Sequence, residues 1–227
     1  MTRIVIAGAG RMGQAIAAGL DQQDDLELVG TWQRGDDLSP LVLAADVVID
    51  FSLPDGTTQV LEAVAEHNTP LVCGVSGLDE AQMARLDEVA TRVPVVYDRN
   101  MSLGVAVLEH SVREAAKSLG GDFAIHIAEV HHVHKQDAPS GTALKLGEAA
   151  AGGRGEAGTG SVTFESERRG EVPGDHEVVM RSPTESLTFA HSVTTRQVFA
   201  DGAIRAARWV SGKAPGRYAM SDVLFRN

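Results

Sequence analysis

Four of the eight histidines fall in one short stretch, His126, His131, His132 and His134, and Lys135, one of only four lysines, follows directly. The run reads Glu129-Val130-His131-His132-Val133-His134-Lys135-Gln136-Asp137-Ala138-Pro139-Ser140-Gly141-Thr142-Ala143. Lys+Arg 20 against Asp+Glu 31 leaves the chain at −11, so a basic knot of this kind should attract an anion. An imidazole in it can donate a proton near neutral pH. Ser140-Gly141-Thr142 opens a helix, with Ser140 suited to the N-cap and the following N–H groups able to hold a carboxylate. Three plainer readings stay open. His132 and His134 could join Glu129 or Asp137 around a metal, although no H-E-x-x-H or multi-cysteine pattern supports this. The histidines could line a solvated strand end, and the Ser-Gly-Thr turn could simply cap a helix.

A second chemical signal lies at the start. Gly8-Ala9-Gly10-Arg11-Met12-Gly13 is a G-x-G-x-x-G set between a strand and a helix, the context that gives the pattern its weight. Gly8 makes the tight turn, Gly10 admits a pyrophosphate, and Gly13 lets helix and strand pack closely. The diphosphate of a dinucleotide would then rest on the helix N-terminus. The second strand ends in Trp32-Gln33-Arg34, where NAD-binding chains commonly carry an acid for the ribose 2′-hydroxyl. Gln33 is neutral and Arg34 could pair with a 2′-phosphate, which points to NADPH or to use of both cofactors. A surface arginine beside Asp36 and Asp37 is the alternative.

The elements that must position these groups follow from periodicity. Strands are expected over 3–7, 27–32, 46–51, 71–74 and 94–97, and helices over 12–20, 54–67 and 79–91. Continuous apolar strands alternating with helices predict a doubly wound parallel sheet. After residue 101 the rhythm changes: a helix over 105–119, a strand over 122–132, a helix over 140–151, a glycine-rich loop over 152–160, and strands over 161–166, 176–181 and 186–193. Strands without intervening helices suggest a second, mixed and largely antiparallel sheet. A helix over 197–211 should pack back on the first lobe. The expected division is 1–101 with 197–227 for the dinucleotide and 102–196 for substrate and oligomerisation.

Composition narrows the class. At 227 residues, 43% hydrophobic and 22% charged, the chain fits one or two folded domains. The acidic balance argues against general nucleic-acid binding. No apolar run approaches the ~18 residues of a membrane span, and no signal peptide is evident, so a cytoplasmic protein is expected. The single cysteine, Cys73, excludes an internal disulfide framework and reads as a packing residue.

Taken with its order along the chain, the pattern E-x-H-H-x-x-K-x-D-x-P-S-G-T-A resembles the dihydrodipicolinate reductase family, the reductases of the diaminopimelate route to lysine. Supporting matches are the glycine loop with Arg11-Met12, Asp50-Phe51-Ser52, Gly74-Val75-Ser76-Gly77, Asn100-Met101-Ser102 and Trp209-Val210-Ser211-Gly212-Lys213. The resemblance implies NADH or NADPH on the N-terminal lobe, with Gly8, Gly10, Arg11, Met12, Gly13, Gln33, Arg34, Phe51, Ser52, Gly74, Ser76, Asn100 and Met101 as contacts. It implies a cyclic dicarboxylate on the second lobe, held by His132, Ser140, Gly141 and Thr142. His131 resembles the family's proton donor and Lys135 its catalytic partner. Closure of two lobes about a hinge and a homotetramer built through the second sheet are also implied.

This chain departs from the family pattern in places. It is short, and its glycine loop is one residue tighter than the usual G-x-x-G-x-x-G. The common Gly-Thr-Thr-Gly is Gly74-Val75-Ser76-Gly77, and the common Asn-Phe-Ser is Asn100-Met101-Ser102. The Arg-rich segment before Gly174 is abbreviated. Two rivals stand beside the reductase: another Rossmann oxidoreductase acting on an amino or keto acid, and a non-catalytic NAD(P)-sensing protein.

Overall fold

The computed structural model describes residues 1–226, which form two compact units: Met1–Leu103 with the stretch from Gln197 on, and Gly104–Arg196. In the first unit, β1 (Thr2–Ala7), β2 (Leu26–Trp32), β3 (Val47–Asp50), β4 (Leu71–Cys73), β5 (Pro94–Tyr97) and β10 (Gly216–Tyr218) make one parallel sheet. Its order is β10-β5-β4-β3-β1-β2, so the chain reverses direction of travel at β1 and β3. Ligands of such sheets bind outside the carboxyl ends of the strands at that switch point. β1, β3 and β4 are buried almost throughout because helices cover both faces. Helices α2 (Ser39–Ala44), α3 (Pro54–His67) and α4 (Glu80–Ala90) lie on one side, around Val42, Val60, Val64, Leu86 and Val89. On the other, α1 (Arg11–Leu20) packs on α7 (Gln197–Val210), and Arg208 pairs with Asp25 at 2.7 Å.

The second unit holds α5 (Leu103–Leu119), β6 (Ala124–His131), α6 (Gly141–Gly153), β7 (Val162–Arg168), β8 (Asp175–Arg181) and β9 (Ser186–Ser192). The sheet order is β7-β6-β8-β9, with β6–β7 parallel and the other two pairs antiparallel. The parallel pair has a simple cause: α6 stands between its strands as a crossover, which a hairpin could not replace. One face of the sheet packs Ile125, Ile127, Val162, Val178 and Met180 against Leu108, Val112 and Leu146 of the helices.

Four local features differ from the sequence expectation. Helix α2 is too short to give a periodic signal, and β10 and α8 (Met220–Phe225) are likewise brief. Gly152 and Gly153 end α6 rather than opening a loop. A Cβ at Gly153 would stand 2.3 Å from the Arg113 carbonyl oxygen, so the glycines permit close approach of α6 to α5. Among the described residues no helix is long and apolar enough to cross a membrane.

Candidate active site

The glycine loop is built as its residue types demand. Gly8 has φ +106, and a side chain there would also strike the Phe51 carbonyl oxygen at 2.6 Å. A Cβ at Gly13 would lie 1.8 Å from the Gly8 carbonyl oxygen, so the first turn of α1 sits directly on the loop. Nothing lies within 4 Å of a Cβ at Gly10, which faces open space, and α1 has no side-chain N-cap. Its first N–H groups are therefore suited to an anion. The Gly8 N–H donates to the Trp32 carbonyl and the Phe51 N–H to the Ala7 carbonyl, both at 2.9 Å, tying the loop to its neighbours. Beside it lies a cavity of about 430 Å³ lined by Gly8, Gly10, Gln33, Arg34, Phe51 and Ser52 among others. These features fit a dinucleotide: a glycine cradle, a helix N-terminus, and polar groups at the end of β2.

Arg11 and Ser76 are exposed, and Met12 is half-buried. The Phe51 ring lies against Gly74, where a Cβ would meet it at 2.3 Å. Buried Asp50 shapes the Phe51–Ser52 turn, accepting from the Ser52 N–H at 2.9 Å and from the Thr57 hydroxyl at 2.8 Å. Burial raises its pKa, against those hydrogen bonds. Cys73 is buried beside Asp50, and desolvation pushes its thiol well above the ordinary value, consistent with packing. Arg34 pairs with Asp55 at 3.4 Å, not with Asp36 or Asp37 through its side chain. Asn100 accepts from the Ser102 N–H at 2.9 Å. Met101 is a different matter. The residue is 1% exposed, and its carbonyl oxygen would stand 1.7 Å from a Cβ at Gly202 of α7, so side chain and carbonyl both pack into the fold.

The second constellation lies wholly in the other unit. His131 ends β6, and Glu129, two residues earlier on the strand, shares its face by the two-residue period. The Glu129 carboxylate is buried and receives His131 Nδ1. It also receives both arms of the Arg168 guanidinium, at 3.1 and 3.0 Å, and the Ser140 N–H at 3.3 Å. Arg168 reaches it because parallel pairing sets His131 beside Arg168 on β7. The same guanidinium donates to the Lys135 carbonyl at 3.2 Å and to the Asp137 carbonyl, holding the loop after β6. Burial works against the Glu129 charge, but hydrogen bonds from Arg168, Ser166 and His131 hold its pKa below the ordinary value.

Burial pulls His131 below the ordinary imidazole value; Glu129 opposes this, and Lys135 and Arg168 reinforce it. His176 of β8 meets the His131 ring edge to face at 5.1 Å. Desolvation and the neighbouring His131 drop its pKa to about 4, so it is neutral at pH 7. Ser140 is the N-cap of α6: its hydroxyl oxygen accepts from the Ala143 N–H at 3.1 Å and lies 3.3 Å from His176 Nε2. That hydroxyl is buried and already engaged, which departs from its expected direct contact with substrate. Nothing lies within 4 Å of a Cβ at Gly141, so the mouth of the helix is open there, and Thr142 follows half-buried. Lys135 Nζ is 2.8 Å from Asp137. Partial burial disfavours the Asp137 charge, but Lys135 and the Gly141 N–H hold its pKa low. A carboxylate therefore already rests between the ammonium and the helix mouth.

The His132 and His134 rings lie tilted by 39° with centroids 5.9 Å apart, and His134 approaches Glu171 at 3.1 Å. Among the described residues no group of three or more His, Cys, Asp or Glu side chains could hold a metal ion. Sequence reading missed Arg168 and His176. It named Glu129 only as a possible metal ligand; the two-residue spacing from His131 could have shown the pair, whereas Arg168 and His176 depend on the β6–β7 and β6–β8 registers.

Comparison with known proteins covers both halves of the chain. Residues 2–101 match the family model described as dihydrodipicolinate reductase, N-terminus, and residues 104–224 match its C-terminus counterpart. The chain belongs to the dihydrodipicolinate reductase family. A family relative from Alkalilimnicola ehrlichii, named 4-hydroxy-tetrahydrodipicolinate reductase, is 40% identical over 98% of this chain and 98% of its own. One of the same name from Caulobacter vibrioides is 43% identical over 98% of this chain and 96% of its own. Among solved structures, the dipicolinate-bound dihydrodipicolinate reductase from Paenisporosarcina sp. TG-14 superposes with a TM-score of 0.84. It is 21% identical and covers 99% of this chain and 100% of its own, which establishes the shared reductase fold.

Proposed function

We propose that this chain reduces 4-hydroxy-tetrahydrodipicolinate to tetrahydrodipicolinate with NADPH or NADH. The observation that carries the reading is a buried imidazole, His131, beside an ammonium and an open helix N-terminus that already holds a carboxylate. Relatives of the same name along nearly the whole chain support it, as does the dipicolinate title of the solved reductase. A bound nicotinamide supplies the hydride.

The chain's own residues do the rest. Lys135, with the Gly141 and Thr142 backbone and His132, takes the substrate carboxylates, displacing Asp137 from its place. Ser140 contributes by capping α6 and so fixing those N–H groups. Hydride addition builds negative charge on the ring system. Lys135 stabilises that charge and His131 quenches it with a proton. His131 lies below its ordinary pKa because it is buried, with Lys135 and Arg168 adding to the effect. An arriving dianion reverses that local field and raises the pKa, so the proton is taken up with the substrate. Arg34 can exchange Asp55 for a 2′-phosphate, which supports NADPH use without an acid to exclude it. The protein acts in the cytoplasm as a homotetramer assembled through the outer face of the β7-β6-β8-β9 sheet. His126, Thr163, Glu165, Glu177 and Arg181 line a cavity of about 500 Å³ on that face.

The test is oxidation of NADPH and of NADH, followed separately by absorbance, with substrate generated in place by the preceding synthase. Oxidation that depends on that substrate is expected with at least one cofactor. A folded protein that binds both but oxidises neither would contradict the reading and favour a different Rossmann substrate.

A further inference from the structure

The buried Glu129 carboxylate and the part-buried Arg168 form a charge pair that the reaction itself does not consume. Five donors converge on one carboxylate: both arms of Arg168, the Ser140 N–H, the Ser166 side chain and His131 Nδ1. Glu129 is 2% exposed, so water does not compete for these bonds. An ionised carboxylate is acceptor only, so the hydrogen between it and the imidazole sits on Nδ1. The other ring nitrogen, Nε2, lies beside Gly174, where even a methyl group would come within 3.0 Å of it.

We propose that Glu129, clamped by Arg168, is the positioning residue of His131: it accepts the hydrogen bond from Nδ1–H and thereby makes Nε2 the atom that passes the proton. This rests on His131 being the donor. In the step itself, the Nε2–H bond of the imidazolium breaks, its electron pair stays on nitrogen, and the proton joins the substrate where the hydride left negative charge. The neutral Nδ1–H tautomer remains, already hydrogen-bonded to Glu129, so no ring flip or second proton shift follows. Arg168 gives the device its particular character. It balances the Glu129 charge, so the carboxylate orients the ring without holding a permanent imidazolium. His176, neutral against the ring edge, adds packing and no charge.

The experiment is 15N spectroscopy of the full-length protein with labelled histidine, at a pH where His131 is neutral, with its signals assigned by their loss in His131→Ala. The wild type is expected in the Nδ1–H tautomer, and Glu129→Gln, whose amide can donate to Nδ1, in the Nε2–H tautomer. Turnover of Glu129→Gln should fall about a hundredfold or more in kcat, with KM and cofactor Kd changed less than about threefold. A wild type in the Nε2–H form, or Glu129→Gln with wild-type kcat, would overturn the proposal. If Glu129→Gln does not fold, Glu129→Gln with Arg168→Met removes the stranded cation, and the same two readouts decide. The wild-type tautomer needs no substrate. A failure of the proposed reaction would therefore appear as absent turnover, and a failure of the positioning role as the wrong tautomer.

Discussion

At the scale of single residues, the proposed substrate position in the second unit is held by an internal carboxylate. Asp137 sits on Lys135 Nζ at 2.8 Å and on the Gly141 N–H, while remaining about half exposed at 55%. An incoming carboxylate must displace it. Exposed ion pairs are worth up to about 1 kcal/mol, so Asp137→Asn should bind dipicolinate about twofold to fivefold more tightly. Calorimetric titration measures this, and weaker binding would mean that Asp137 holds Lys135 in place for the ligand. The grouping of His131, Lys135 and the Ser140 cap was legible in the sequence because those residues are close along the chain. Arg168 lies 33 residues beyond Lys135 and reaches its carbonyl only through the β6–β7 register. No local pattern announces such a partner. The same holds for Asp55, which meets Arg34 across 21 residues.

At the scale of elements, the glycine loop separates binding from folding. Gly10 has free space around a Cβ position, whereas Gly13 has a carbonyl oxygen 1.8 Å away. Gly10→Ala should keep the wild-type Tm yet lose cofactor affinity at least tenfold, because the methyl occupies the approach of the diphosphate. Gly13→Ala should lose stability by about 1–3 kcal/mol through overpacking. Thermal melts and fluorescence titration of the two variants distinguish these effects, and equal Tm losses would contradict the division. The four-stranded sheet carries its own pH signature. The unfolded chain protonates His176 near 6.5, and the folded chain only near 4. Between those values the unfolded state binds more protons, so stability falls as pH falls. At pH 5 the loss from His176 is about 2 kcal/mol relative to pH 7.5. Urea midpoints at both pH values should show it, and His176→Asn should flatten the difference. An unchanged difference in that variant would place the acid sensitivity elsewhere. The strands and long helices of both sheets were readable from periodicity, since buried β-branched runs such as Val47-Val48-Ile49 admit one interpretation. Helix α2, β10 and α8, at six, three and six residues, are held by tertiary packing and leave no periodic trace.

At the scale of the whole molecule, the glycine loop and its cavity lie in one unit and the Glu129, His131 and Lys135 cluster in the other. The outer face of the second sheet carries polar side chains above strands that are themselves half-exposed, and a tetramer would cover it. Sedimentation velocity should give four times the mass of one chain. A single-chain mass across a wide concentration range would remove the oligomer from the account. The central claim is that His131 supplies the proton while taking no part in cofactor binding. The most direct measurement is His131→Ala against wild type, with steady-state turnover and the Kd of NADPH taken on the same preparations. Turnover should fall about a hundredfold to ten-thousandfold while the cofactor Kd stays within about twofold. Turnover close to wild type would contradict the account and move the proton donor elsewhere.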